Sequence, residues 1–161
     1  MLLARRVPSW HANVGKRLVK APRLYWRDSG MLHALLGIPD LESLLAQPVV
    51  GASWEGFAIE NLIDSAPEGT QAYYYRTSGG AEIDLLLGLP NGHQWGVEVK
   101  RSMAPRPERG FYAGCGDVGV SRRFVVYPGN ESFPLPHGVE AVSLPGLATR
   151  LRRSAPTMAA G

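Results

Sequence analysis

Two short apolar runs that carry acids at alternate positions constrain this chain more than any other feature of it. The first is Glu82-Ile83-Asp84-Leu85-Leu86-Leu87, the second is Gly96-Val97-Glu98-Val99-Lys100, and Pro90-Asn91-Gly92 lies between them. Apolar runs of this length bounded by turn residues read as strands, so the pair predicts a hairpin. Side chains along a strand alternate faces with period two. Glu82 and Asp84 therefore share one face, with Ile83, Leu85 and Leu87 opposite, and Glu98 shares a face with Lys100. In a hairpin centred on Asn91, Asp84 lies across from Glu98, a register that requires an odd-numbered loop of three or five residues. A two-residue Asn-Gly turn would send the two carboxylates to opposite faces.

Two carboxylates facing each other about 5 Å apart repel, and one takes up a proton unless a cation sits between them. A hard divalent ion with oxygen ligands suits that position, since Mg²⁺ typically takes one or two carboxylates plus waters. Lys100 on the same face adds a point charge suited to orienting a phosphate or stabilising an attacking hydroxide. Upstream, residues 54–65 follow a helical period, with Ser53 placed as N-cap and Pro67 beyond the end. At about 100° per residue, Trp54, Ala58 and Leu62 form one stripe with Glu55 on its edge, while Glu60 and Asp64 fall on the solvent side. A carboxylate on the inward edge is costly unless it meets a cation or a donor. Glu55 is therefore the helical acid expected at the site, with Glu60 as second candidate.

The remaining segments supply a frame. Residues 23–26 read as extended, Asp28 or Ser29 caps a short helix over 31–36, and a second short helix covers 40–46. Strands are expected at 72–77, 82–87, 95–100, 123–127 and 139–144, and helices at 106–114 and 145–153. Gly110, Gly114 and Gly116 lower the helix propensity of 106–114. The order α-β-β-β-α-β predicts one α/β domain with a central mixed sheet flanked by helices. A chain of 161 residues is the size of one such domain. Residues 1–50 form a basic arm with limited structure of its own plus the short helices, 51–153 form the core, and 154–161 form a disordered tail.

Charge is unevenly spread. Residues 1–27 hold seven bases and no acid, 28–98 hold ten acids and one base, and 99–161 hold nine bases and four acids. Basic flanks around an acidic middle suggest a polyanion-binding surface around a carboxylate-bearing site. Arg76, the one base of the middle, and Arg101, Arg106 and Arg109, which follow the second acidic strand, are the expected nucleic-acid contacts. The single Cys115 excludes an internal disulfide and fits a cytoplasmic setting. One cysteine and four scattered histidines are too few for a structural zinc site. No apolar run reaches the roughly 18 residues that span a bilayer, and the first ten residues do not form a signal peptide. Gly15-Lys16 is followed by Arg17 and preceded at the required spacing by Trp10, so it is no phosphate-binding loop, and ATP hydrolysis is not expected.

Taken together, Gly51-x-x-x-Glu55-x-x-Ala58-x-x-x-Leu62, Glu82-Ile83-Asp84 and Glu98-Val99-Lys100 resemble the PD-(D/E)XK nuclease superfamily, which includes restriction endonucleases and archaeal Holliday-junction resolvases. The resemblance implies a restriction-endonuclease-like fold and an Mg²⁺- or Mn²⁺-dependent endonuclease acting on nucleic acid, DNA first. Glu55 matches the helical acid and Asp84 the metal-binding aspartate. Glu98 and Lys100 match the pair that ligates metal and activates water, with the carbonyl of Val99 as a further ligand. A homodimer would follow if two strands are cut. A second resemblance spans nearly the whole chain. Residues 20–32, Trp54-Glu55-Gly56-Phe57, Tyr74-Tyr75-Arg76-Thr77 and Val97-Glu98-Val99-Lys100-Arg101-Ser102 look like the uncharacterised domain found C-terminal to an AAA-type ATPase in many bacterial and archaeal proteins. It implies an ATPase as partner, a chain that is a fragment or a gene lacking that ATPase, and an alternative role as a catalytically silent interaction or regulatory module.

Overall fold

Two hairpins form, the predicted one among them, because each has a three-residue loop with glycine where the backbone turns left-handed. In a computed structural model that describes residues 3–11 and 21–154, β3 (Gln71–Arg76) and β4 (Glu82–Gly88) are joined through 78–80, and β4 and β5 (Gln94–Val99) through 90–92. Gly80 and Gly92 have φ of 89° and 82°, a conformation that costs glycine nothing. Thr77 donates its N–H to Ala81 O at 2.9 Å across the first loop, and Leu89 to His93 O at 2.8 Å across the second. The β4–β5 register runs Leu85↔Val97, Leu86↔Gly96, Leu87↔Trp95 and Gly88↔Gln94, symmetric about Asn91 as predicted.

These three antiparallel strands open a six-stranded mixed sheet of order β3-β4-β5-β6-β8-β7. β6 (Arg122–Tyr127) and β8 (Val139–Ser143) run parallel to β5, and the short β7 (Phe133–Leu135) is antiparallel to β8. The α/β domain with a central mixed sheet is thus the observed class. α3 (Val50–Ser65) and α5 (Leu144–Arg153) cover one face through Ala58, Ile59, Leu62, Leu147 and Leu151, all buried against Leu85, Leu87 and Val97. Truncating one such leucine to alanine would cost about 2–5 kcal/mol. α4 (Arg109–Val118) covers the other face through Phe111 and Cys115, against Ile83, Leu86 and Val125. Its glycines, which count against a helix in sequence, have a packing role. A Cβ on Gly110 would lie 2.3 Å from Gly80 O, and one on Gly114 would meet Ile83 Cγ1 at 3.0 Å.

The N-terminal segment departs from expectation. Ala4–Val7 is strand β1, paired antiparallel with β2 (Arg23–Trp26) in a two-stranded ribbon, and Val7 and Tyr25 are buried in the α3-side core. Pro8 O accepts the Tyr74 N–H at 3.0 Å and Trp10 donates to Tyr74 O at 2.8 Å, so this segment also covers the free edge of β3. The basic arm is therefore built into the fold wherever it is described. α1 (Ser29–Leu35) is capped by Asp28, whose Oδ1 accepts the Met31 N–H at 3.0 Å, and α2 (Leu41–Leu45) follows Asp40, which accepts from Ser43 N at 2.7 Å. α3 begins earlier than expected. Ser53 does not cap it but lies inside the helix, buried, with its hydroxyl 2.6 Å from His33 Nε2. The tail at 155–161 lies outside the described residues, and Ser154 closes α5. Among the described residues no helix is long and apolar enough to cross a membrane.

Candidate functional site

The acids read as chemical from sequence gather at the open end of the β4–β5 hairpin. Glu55 from α3, Glu82 and Asp84 from β4, Glu98 from β5 and Lys100 just beyond it line one cleft of about 220 Å³. A bulge decides how Asp84 enters it. Between Tyr73↔Leu86 and Tyr75↔Ile83 the register advances two residues along β3 and three along β4. Alternation breaks there: Ile83 packs on the α4 side with Leu86, whereas Leu85 and Leu87 pack on the α3 side. The single alternating face expected for Ile83, Leu85 and Leu87 is thus corrected, because an extra residue re-aims the side chains around it. Backbone pairing of β4 with β5 ends at Leu85↔Val97, and Asp84 Oδ2 instead accepts the Val99 N–H at 3.0 Å.

Glu98 and Lys100 form the second half of the site. Lys100 Nζ lies 2.9 Å from Glu98 Oε1 and also pairs with Glu108, whose own backbone N–H donates to Glu98 Oε2 at 3.2 Å. The Lys100 backbone is held by its N–H to Val126 O at 2.8 Å and by the Trp54 indole N–H to Lys100 O at 3.1 Å. The ammonium is thereby fixed at the rim of the cleft. Burial alone would lower its pKa, but the hydrogen bonds to Glu108 and Glu98 outweigh that and hold it above its ordinary value.

The residue that sequence reasoning missed is Arg23. From β2 its guanidinium enters the carboxylate cluster: Nη1 is 3.4 Å from Asp84 Oδ1 and 3.5 Å from Glu55 Oε1, and Nη2 pairs with Glu82. It also lies over the Tyr74 ring, 4.8 Å from the centroid. Tyr25 on the same strand donates its hydroxyl to Glu55 Oε1 at 2.8 Å. The one signal in the sequence was a basic, extended Arg23-Leu24-Tyr25-Trp26 ahead of an acidic middle, and spacing alone does not say where such a strand docks.

The cluster remains short of positive charge. Asp84 is pushed up to about 7, first by burial and then by the charge of Glu55, in spite of Arg23 and the Val99 N–H. Glu98 is also raised, chiefly by burial. Glu60, expected on the solvent face, is corrected: it is 5% exposed and sits under the β1–β2 ribbon with Arg5 Nε at 2.5 Å and Arg27 Nε at 3.6 Å. The ribbon covers a helix face that periodicity alone assigned to water, so Glu60 is a structural ion-pair partner and lies apart from the cleft.

The expected nucleic-acid contacts scatter around this centre. Arg76 is half exposed with Nε 3.7 Å from Glu82 Oε2. Arg101 and Arg106 lie exposed between β5 and α4, and Arg109 is exposed at the start of α4. Cys115 is buried against α4's side of the sheet, its thiol pushed up to about 12 by burial, which removes it as a nucleophile.

An all-oxygen donor set of Asp84, Glu98 and neighbouring carboxylates fits a hard ion such as Mg²⁺ or Mn²⁺ in kind, and two buried acids held above their ordinary values fit it in charge. Among the described residues, however, no three His, Cys, Asp or Glu side chains are already drawn together as a metal-holding group. Arg23 stands among three of the carboxylates.

Residues 50–147 match the family described as Domain of unknown function (DUF4143), and residues 1–42 match a second, Domain of unknown function (DUF8612). The uncharacterized protein Rv2008c of Mycobacterium tuberculosis and the uncharacterized protein Mb2031c of Mycobacterium bovis are each 43% identical over 142 residues, covering 88% of this chain and 32% of theirs. The chain thus spans about a third of the length of the curated relatives it matches. No solved structure matches it. With the match running from the start of α3 into α5 and so taking in Glu55, Asp84, Glu98 and Lys100, the chain belongs to the DUF4143 family.

Proposed function

We propose that this domain is a nuclease-like module of PD-(D/E)XK type that binds nucleic acid and, given Mg²⁺ or Mn²⁺, hydrolyses phosphodiester bonds. One observation carries the reading: Glu55, Asp84, Glu98 and Lys100, separated in sequence and borne on α3, β4 and the end of β5, line a single polar cleft. Asp84 and Glu98, with the Val99 carbonyl, would hold the ion, and Glu55 would complete the site directly or through water. A bound divalent ion would supply a more acidic water and neutralise charge developing on the phosphate. Lys100, anchored by Glu98, is placed to orient the attacking water, worth several kcal/mol where donors are preorganised. An AAA-type ATPase is the proposed partner in longer family members, and relatives about three times the length of this chain leave room for one.

The test is a cleavage assay on a panel of DNA and RNA substrates with Mg²⁺ and Mn²⁺, beside Asp84→Asn purified identically and an EDTA control. Metal-dependent nicking that the variant loses supports the reading; equal activity in both proteins removes the assignment. A second reading, a catalytically silent interaction module for the ATPase, is favoured by one feature. Arg23 closes the carboxylate cluster with ion pairs, and the adjoining cleft of about 630 Å³ presents exposed Leu24, Trp26 and Phe57. Absence of cleavage on every substrate, with the fold intact, would favour it.

A further inference from the structure

A second cleft, of about 350 Å³, is formed by Arg109 and Tyr112 of α4, Arg123 of β6 and His137 ahead of β8. No acid lines it. Arg109 and Arg123 are, among the described residues, outside ion-pair distance of any carboxylate, as are Arg101, Arg106, Arg152 and Arg153, but Arg109 and Arg123 line the same cleft. Two unneutralised guanidiniums converging on one concave surface are an electrostatic cost to the folded chain that an anion would relieve.

The cleft is also held in shape. Arg123 Nη1 donates to His137 O at 2.9 Å, and the Tyr112 and His137 rings meet edge to face with centroids 5.2 Å apart. His137 has φ 58°, the one left-handed non-glycine residue among those described, directly before a glycine, Gly138, that is also left-handed. A β-carbon kept where glycine would be less strained is the kind of outlier that points to a role for the side chain.

Position gives the ligand class. The cleft shares Arg109 with a neighbouring cleft of about 530 Å³, and that one shares Gly80 and Gly110 with the carboxylate cleft. A row of adjoining clefts with acids and Lys100 at one end and two arginines without a carboxylate partner at the other suits a chain of phosphates better than a single one. We infer that the Arg109–Tyr112–Arg123–His137 cleft binds the phosphodiester backbone of a nucleic acid whose neighbouring segment lies at the carboxylate cleft. The inference rests on the nucleic-acid part of the proposed function and is independent of whether the site cleaves.

The experiment is fluorescence anisotropy of a labelled 20-mer DNA and its RNA counterpart, single- and double-stranded, titrated with the full 161-residue chain at several salt concentrations without divalent ion. Arg123→Gln and Arg109→Gln are each expected to weaken binding about tenfold, the size of one charge-assisted contact. Each should also lower the slope of log K against log salt by about one. Among the described residues Arg109 has no ion-pair partner whose loss would unsettle the fold, and melting curves check both variants. Binding and slope unchanged in both variants would overturn the inference, as would failure of the wild-type chain to bind any of the four probes. Wild-type binding with these losses but no cleavage under metal would uphold it while removing the nuclease assignment.

Discussion

Arg23 and Asp84 lie 61 positions apart in sequence and 3.4 Å apart in space, guanidinium Nη1 to carboxylate Oδ1. The side chain at the centre of the acidic cluster is thus a cation supplied by the chain itself. A divalent ion and Arg23 would compete for the same carboxylates. Arg23→Gln is expected to destabilise the fold by about 1–3 kcal/mol without metal, since it leaves partly buried acids uncompensated. It should also tighten Mn²⁺ binding. Thermal melting with and without Mn²⁺ checks both: the variant should gain more from the ion than the wild type does, and equal gains would rule out the competition.

The protonation of Asp84 sets a pH dependence. Burial, followed by Glu55, pushes it up to about 7, whereas an unfolded aspartate titrates near ~3.9. Between those values the folded chain keeps a proton that the unfolded chain has released. Its contribution to stability is therefore full below about 4 and is lost as pH rises through about 7, by at most about 4 kcal/mol. Asp84→Asn should flatten this fall, read as urea midpoints at pH 5 and pH 8. If the site holds a metal, Mn²⁺ uptake should rise through the same range, because the ion needs the ionised carboxylate.

Glycines in one helix should respond in opposite directions. Gly110→Ala places a Cβ 2.3 Å from Gly80 O, a backbone atom that cannot yield, and is expected to cost about 3 kcal/mol. Gly116 of the same helix faces open space, and its replacement by alanine should stabilise by about 0.5–1 kcal/mol through helix propensity. Denaturant titration of the two variants distinguishes packing from propensity in a single pair.

Glu60 and Glu55, five residues apart on α3, should separate stability from chemistry. Glu60→Ala removes the ion pairs to Arg5 and Arg27, leaving Arg5 with Asp64 alone, and is expected to cost about 1–3 kcal/mol without touching the cleft. Glu55→Gln keeps the Tyr25 hydrogen bond within reach and should change stability little while lowering any metal-dependent activity. A melting curve and a cleavage time course on each variant would show the two effects apart.

Features decided by neighbours along the chain were legible before any fold was known. The hairpin register about Asn91 follows from an odd loop and period-two alternation, the Asp28 cap follows from one side chain reaching three residues ahead, and Glu98 with Lys100 on one side of β5 follows from strand geometry. The remaining features depend on contacts between distant segments. The bulge at Asp84 depends on how β3 pairs with β4, and the burial of Glu60 depends on a ribbon from the far end of the chain. Arg23 reaches the carboxylates only because β2 docks on α3. Local rules reach three or four residues. The charge balance of this cleft is set by contacts made across sixty, where burial and ion pairing rather than spacing select the partner.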